Sequence, residues 1–284
     1  MGLFFVAVAV VSWGVGDFLI QRSARKLGDW EALFFITAFA ALVLLPFVLQ
    51  DLTLLSAQNL LILTGTSVVI LAAALLDFDA LRVGKISVIE PIYALEVPVT
   101  IVLAALFLGE VLTLEQLVLI VVLLAGIFLV SNKHLGRMHM RTLERGVLIA
   151  FLATMGMGLS NFLFGFSARE TSPLMINWFT STFMALCTLA FLVYKGRAAA
   201  IVTDLYRNGR LILGVCIADN TAWVAYSTST LYMPIGLATG LSESYIALAA
   251  ILGLLYNGER LRMHQKLGLV VSVCAAIVLA FIAE

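Results

Sequence analysis

Charge is what this sequence holds least of. Lys, Arg, Asp and Glu together make up 12% of its 284 residues, against about 25% in a soluble domain. Hydrophobic residues make up 62%, and the mean hydropathy is +1.09. A soluble protein must cover its surface with polar groups, and this chain has too few to do so. The composition implies an integral membrane protein. Other features are missing as well. The apolar runs show no period-two alternation, which excludes a β-barrel. Little polar sequence is left between them, so no extramembrane domain offers a soluble active site or a nucleic-acid surface. No basic residue follows Met1, so the first run does not resemble a signal peptide. Cys187, Cys216 and Cys274 are the 3 cysteines, all inside apolar runs. They read as small buried hydrophobes, neither disulfides nor metal ligands. His134, His139 and His264 lie in loops without metal-ligand spacing. A Walker A sequence is absent, which excludes an ATP-driven pump in this chain. So are a Gly-x-Ser-x-Gly site, a central Schiff-base lysine and a regular arginine ladder. The chain is not expected to be an enzyme, and no cofactor is expected.

What is present is a series of long apolar runs. A membrane helix needs roughly 20 apolar residues, and ten spans fit. They run roughly 2–21, 31–49, 57–80, 86–108, 114–131, 145–167, 173–194, 209–231, 235–256 and 265–283. The fold class is all-α polytopic membrane protein.

The spans repeat. A shift of 144 residues carries Gly14 onto Gly158, Asp17-Phe18-Leu19 onto Asn161-Phe162-Leu163, and Ser23-Ala24-Arg25 onto Ser167-Ala168-Arg169. A shift of 149 carries Leu108–Gln116 (LGEVLTLEQ) onto Asn257–Gln265 (NGERLRMHQ). Residues 1–131 and 145–284 are therefore two copies of one five-helix unit, joined by a basic linker at 132–144. Five is odd, so the second copy enters the membrane from the opposite side. This is the inverted-repeat plan of many secondary transporters.

Basic residues set the orientation. Of the 17 Lys and Arg, 16 fall in the loops that follow odd-numbered spans, and Arg169 alone falls on the other side. Both termini are expected outside a cell membrane, with the basic loops in the cytoplasm.

Acids inside the spans mark where chemistry is expected. An Asp at a helix centre costs about 2.5–3.5 kcal/mol on insertion scales. Several such groups must line a protected cavity, pair, or carry protons. Asp77 and Asp79 lie near a span end, one turn before Arg82 and Lys85, and read as interfacial ion-pair members. Asp17 also lies toward an end, with Asn161 as its repeat counterpart. Glu96, Asp219 and Glu243 fall near the middle of spans four, eight and nine. Helical spacing puts Asp219, Asn220, Trp223, Tyr226, Ser227 and Thr230 on one face. Glu90, Tyr93 and Glu96 share an arc of about 120°. The repeat counterpart of Glu96 is Tyr245.

At this point the residues resemble a known family. Ten spans in two halves, with Gly-Glu-x-Leu-x-x-x-Gln after spans four and nine, resemble the drug/metabolite transporter superfamily, EamA type. Leu95-Glu96-Val97-Pro98 is similar to that family's Leu-Glu-Pro segment, with Val97 inserted, and Trp13-Gly14 also fits. The resemblance covers essentially the whole chain. It implies a secondary transporter, often an exporter of amino acids or other metabolites, with a central cavity between the halves. Members are usually drawn with both termini cytoplasmic, which the charge bias here opposes.

The expected substrate is a small polar or cationic, amino-acid-like metabolite. A proton or counter-substrate is the expected coupling partner, and a homodimer in the bilayer is compatible with the sequence. A flippase or facilitator for a lipid-linked metabolite is the alternative. The residues expected to bind or couple are Glu96, Asp219, Glu243, Tyr93, Glu90, Asn220, Trp223, Tyr226, Tyr245, Trp13 and Asp17.

Overall fold

The computed structural model describes residues 1–83, 92–93, 95–131, 145–248 and 262–282. Among them there is no strand. The helices are α1 (Gly2–Leu27), α2 (Asp29–Val48), α3 (Ala57–Val83), α4 (Glu96–Leu108), α5 (Leu114–Ser131), α6 (Arg145–Glu170), α7 (Pro173–Tyr194), α8 (Ala198–Ser229), α9 (Ile235–Ser242) and α10 (Met263–Ile282). Six of these (α1, α2, α3, α6, α7 and α10) are long and apolar enough to cross a membrane. Large apolar side chains such as Phe4, Leu42, Phe47, Leu61, Leu106, Val121 and Phe281 point outward. That arrangement suits a solvent of lipid tails, and the chain is a multi-pass membrane protein.

Local chemistry fixes the helix ends. Gly28, at φ 107°, lets α1 pass into α2 without a loop. Pro173 opens α7 at its first position, and the Ser172 hydroxyl accepts from the Met175 N–H at 3.1 Å. The repeated Gly-Glu-x-Leu-x-x-x-Gln stretch gains a physical meaning here. Thr113 and Gln116 cap α5 reciprocally, each accepting from the other's backbone N–H, at 3.2 and 3.0 Å. At the start of α10 the Gln265 carbonyl oxygen accepts from the Arg262 N–H at 3.0 Å. The repeated glutamine is thus a helix-capping residue in both copies.

Several spans differ in outline from the sequence reading. The first helix continues to Leu27, so Asp17 lies well inside it. The eighth begins at Ala198 and kinks at Asn208, where φ is −123° and ψ 16°. The ninth span does not run unbroken. Helix α9 stops at Ser242, and a turn at Glu243–Ser244 precedes the next helical residues, 245–248. The turn is tightened by three-residue hydrogen bonds from Ser244 N–H to Leu241 and from Ile246 N–H to Glu243. A turn also precedes α4, at Leu95. Pro98 cannot donate to the carbonyl four residues back, and its ring crowds that carbonyl. The linker 132–144, Glu90 and the Asn257–Leu261 part of the second repeated stretch lie outside the described residues.

Packing joins early helices to late ones. The main pairs are α1 with α8, α3 with α6, α2 with α7, α5 with α10, and α4 with both α6 and α9. Two polar clusters lock the bundle at opposite ends of α7. Just beyond its C-terminal end, Arg197 pairs with the fully buried Glu31 of α2 at 2.8 Å. Near its N-terminal end, Arg169 of α6 pairs with Glu110, which follows α4. Glu110 also accepts from the Ile235 N–H at 2.7 Å, capping α9. Arg169 further donates to the Thr230 and Met233 carbonyls at 2.8 and 3.0 Å.

Candidate functional site

A cavity of about 120 Å³ lies between the early and late helices. One water needs about 10–15 Å³ on this measure, so the space holds a small metabolite. The described helices α1, α2, α3, α4, α6, α7 and α8 all line it, together with Tyr93, Glu243 and Tyr245. Both turns described above, at Leu95 and at Glu243–Ser244, adjoin its acidic residues.

Five carboxylates reach this space: Asp17, Asp77, Glu96, Asp219 and Glu243. Among the described lining residues there is no Lys, Arg or His. Glu96 opens α4 and is held by Asn161 of α6, whose side-chain amide donates to it at 3.1 Å. Thr100, one turn on, donates to the carbonyls of Glu96 and Gly158, at 3.0 and 2.9 Å, so α4 and α6 are stitched together beside the carboxylate. Glu243 sits at the turn after α9 and is only 4% exposed. One of its oxygens, Oε2, is buried without a hydrogen-bond partner. Glu96 and Glu243 interact electrostatically, and Asp17 lies within reach of both. Asp77 of α3 interacts electrostatically with both Asp219 of α8 and Glu96, so the five acids form one connected set.

Aromatic rings fill the wall between these acids. Trp13 meets Trp223 edge-on at 5.3 Å and Tyr245 at 6.2 Å, and Phe164 backs Trp223 at 4.6 Å. The Tyr93 hydroxyl donates to the main-chain carbonyl of Asp77 at 3.4 Å. Asn220 lines the cavity while donating to the Ile36 and Cys216 carbonyls, at 3.0 and 2.8 Å, which binds α8 to α2.

Nine of the residues singled out in the sequence lie together here: Trp13, Asp17, Tyr93, Glu96, Asp219, Asn220, Trp223, Glu243 and Tyr245. Two do not. Glu90 is outside the described residues. Tyr226 is no part of the lining; it is fully buried behind Trp13, with its hydroxyl donating to the Asn161 carbonyl at 3.1 Å and 2.7 Å from the Thr239 hydroxyl. These bonds tie Tyr226 to the main chain of Asn161, whose side chain donates to Glu96. Asp77 is a correction in the other direction. Helix α3 runs on to Val83, which places Asp77 inward of the helix end and in the cavity wall.

The sequence reading placed α7 as the span 173–194 but named no site residue on it. Asn177, Thr180 and Ser181 form the cavity's polar wall there, and Asn177 donates to the Ser227 hydroxyl at 2.8 Å. Their signal was available, since polar residues three or four apart in an apolar helix share one face. The cysteines also need correction, because Cys274 is exposed on α10 rather than buried. Among the described residues no group of acids, His or Cys is arranged to hold a metal.

The arrangement has counterparts among known proteins. A solved structure titled "Crystal structure of protein" superposes with a TM-score of 0.74, covering 99% of this chain and 97% of that one at 13% identity, which shows a shared fold. The uncharacterized protein MJ1333.1 of Methanocaldococcus jannaschii is 29% identical over 126 residues, spanning 44% of this chain and 91% of the relative. The sequence model of the EamA-like transporter family matches residues 1–132 and 144–281. A multi-pass helical bundle around a metabolite-sized polar cavity is what such a family requires, and the match extends over nearly the full length. The chain belongs to the EamA-like transporter family, within the drug/metabolite transporter superfamily, and is a membrane transporter of small molecules, not an enzyme.

Proposed function

We propose that the chain is a secondary transporter that moves a small polar or cationic metabolite by alternating access, as an exporter coupled to protons or to a counter-substrate. The observation that carries this reading is the five-carboxylate cavity between early and late helices, with no cation among its described lining residues. Uncompensated charge in a water-poor site is costly. Such a cavity must take up cations, and protons and substrate then compete for the same carboxylates.

Ten spans in two inverted halves are part of the reading. The 144-residue offset carries Trp13, Asp17, Ile20, Leu33, Ile36 and Thr37 onto Met157, Asn161, Phe164, Asn177, Thr180 and Ser181. Every residue on both sides of that correspondence lines the cavity. The helix pairs also map onto themselves when α1–α5 are exchanged for α6–α10. A substrate site on the axis between two such halves is the arrangement that rocking one half against the other requires.

The test is a pH gradient across proteoliposomes. Substrate flux should follow the gradient in the wild type, and Glu96→Gln and Glu243→Gln should each reduce that response at least tenfold. Coupling that survives in both variants removes the proton from the mechanism. Orientation has its own check. A reporter active only in the cytoplasm, fused after Glu284, should stay silent; a strong signal would reverse the orientation that the basic loops imply. The flippase reading finds less support, because a space of about 120 Å³ suits a metabolite better than a lipid-linked one.

A further inference from the structure

The cavity lining is rich in hydrogen-bond acceptors and short of donors. Most of the donors present are committed to the protein itself. Both amide hydrogens of Asn177 are taken, by the Pro173 carbonyl at 2.7 Å and the Ser227 hydroxyl at 2.8 Å. Both of Asn220 are taken by the Ile36 and Cys216 carbonyls. The Thr37 hydroxyl donates to the Leu33 carbonyl and the Thr180 hydroxyl to the Ile176 carbonyl, each at 2.7 Å. The Tyr93 hydroxyl donates to the Asp77 carbonyl, and an Asn161 N–H to the Glu96 carboxylate. An amide or hydroxyl spent in this way has only oxygen lone pairs left to offer. Ser181, Trp13, Trp223, Tyr245 and the second N–H of Asn161 hold the other side-chain donors of the described lining, against five carboxylates. The shortage extends to an enclosed atom, since Glu243 Oε2 is buried and has no hydrogen-bond partner.

A ligand in this space has to bring the donors. Positive charge alone does not meet the need, because an oxygen lone pair that faces a methyl group stays unsatisfied. A carboxylate on the ligand would add acceptors to a set already short of partners. We propose that the cavity selects a primary ammonium compound without a carboxylate, and reads its N–H groups as well as its charge. An ammonium carries three donors and no acceptor, so one group serves several oxygens at once. Leu33, Ile36 and Ile70 line the cavity with hydrocarbon, which suits an alkyl remainder. This inference rests on the transport reading above and narrows its substrate to one chemical class.

Four isomeric cations separate N–H count from charge and atom count. Butylammonium carries three N–H groups, diethylammonium two, ethyldimethylammonium one and tetramethylammonium none. Calorimetric titration of the full-length protein in detergent, at neutral pH and fixed ionic strength, should rank their affinities in that order, with at least a tenfold gap between the ends. The zwitterion 4-aminobutanoate should bind at least tenfold more weakly than butylammonium. Glu243→Gln and Glu96→Gln each put an N–H among the acceptors, and each should narrow the gap to less than threefold. Tetramethylammonium or 4-aminobutanoate binding as tightly as butylammonium overturns the proposal. A ranking that persists unchanged in both variants also overturns it, because the recognition then lies outside the cavity. The wild-type ranking decides the matter where a variant does not fold. If none of the five binds while proteoliposomes move other amino acids or nucleosides, the proposal fails and the transport reading stands. If no solute moves and labelled lipids scramble instead, the transport reading fails as well.

Discussion

Gly158→Ala should cut transport at least tenfold, while Gly14→Ala, its counterpart 144 residues earlier, should change it less than twofold. Both glycines sit inside helices, where alanine is intrinsically better by about 0.8–1.0 kcal/mol. Their surroundings reverse the sign at one of them. A Cβ at Gly158 would lie 2.7 Å from Val99 Cβ and 2.9 Å from the main-chain oxygen of Glu96. Neither neighbour is the loose end of a side chain, so α4 itself must shift. Overpacking of this kind costs about 1–3 kcal/mol, more than the propensity returns. The shift would also pull Glu96 from Asn161 and Thr100 from the Gly158 carbonyl. At Gly14 the nearest atom is the Leu248 Cδ2, 3.1 Å away, which can rotate aside. Flux assays on both variants, with folding followed by size-exclusion profile, check the contrast. Equal tolerance at the two sites would show that close helix contact does not hold Glu96 in place.

Arg169→Ala should lower stability by about 1–3 kcal/mol, less than the roughly 3–5 kcal/mol for breaking a fully buried ion pair, because this one is partly exposed. Three separate segments lose their connection at once. Glu110 loses its counter-charge beside the α9 N-terminus, and the Thr230 and Met233 carbonyls lose their donor. Arg169→Lys should restore only part of the loss, because an ammonium lacks the guanidinium fork that serves several acceptors together. Thermal melts in detergent measure the total. Amide exchange locates it: residues 230–242 should exchange faster in the alanine variant, while α2, held at the other end by Glu31 and Arg197, should not. A uniform acceleration over all helices would mean that Arg169 supports the whole bundle rather than this corner.

The membrane character was legible in the sequence because apolar runs of 20 or so residues have few other uses. The acids were legible for the same reason, since a carboxylate in such a run is expensive enough to need a purpose. Orientation of individual side chains was less so. Asp77 looked interfacial because basic residues follow it within two turns, and only the continuation of α3 to Val83 turns it inward. Tyr226 shares a helical face with Trp223, yet it packs behind that ring, because Asn161 and Thr239 offer its hydroxyl partners there. Asn161 drew attention merely as the counterpart of Asp17, and its bond to Glu96 depends on α6 crossing α4. The turn at Glu243–Ser244 left no breaker signal, with neither Gly nor Pro at either position.

The pairing of early with late helices has a consequence for biosynthesis. When α1–α5 have left the ribosome, α1 still lacks α8, α3 lacks α6 and α2 lacks α7. Glu96 has no Asn161 to hold it, and Thr100 no Gly158 carbonyl. The remaining residues, from 145 to 284, take roughly 7–28 s to synthesise at 5–20 residues per second. For that interval the newborn half must wait in the bilayer with its carboxylates facing lipid, water or the insertion machinery. Completion of α6–α10 is thus the step that gives both halves a shared interior, and a chain truncated between them is left with five helices and half a core.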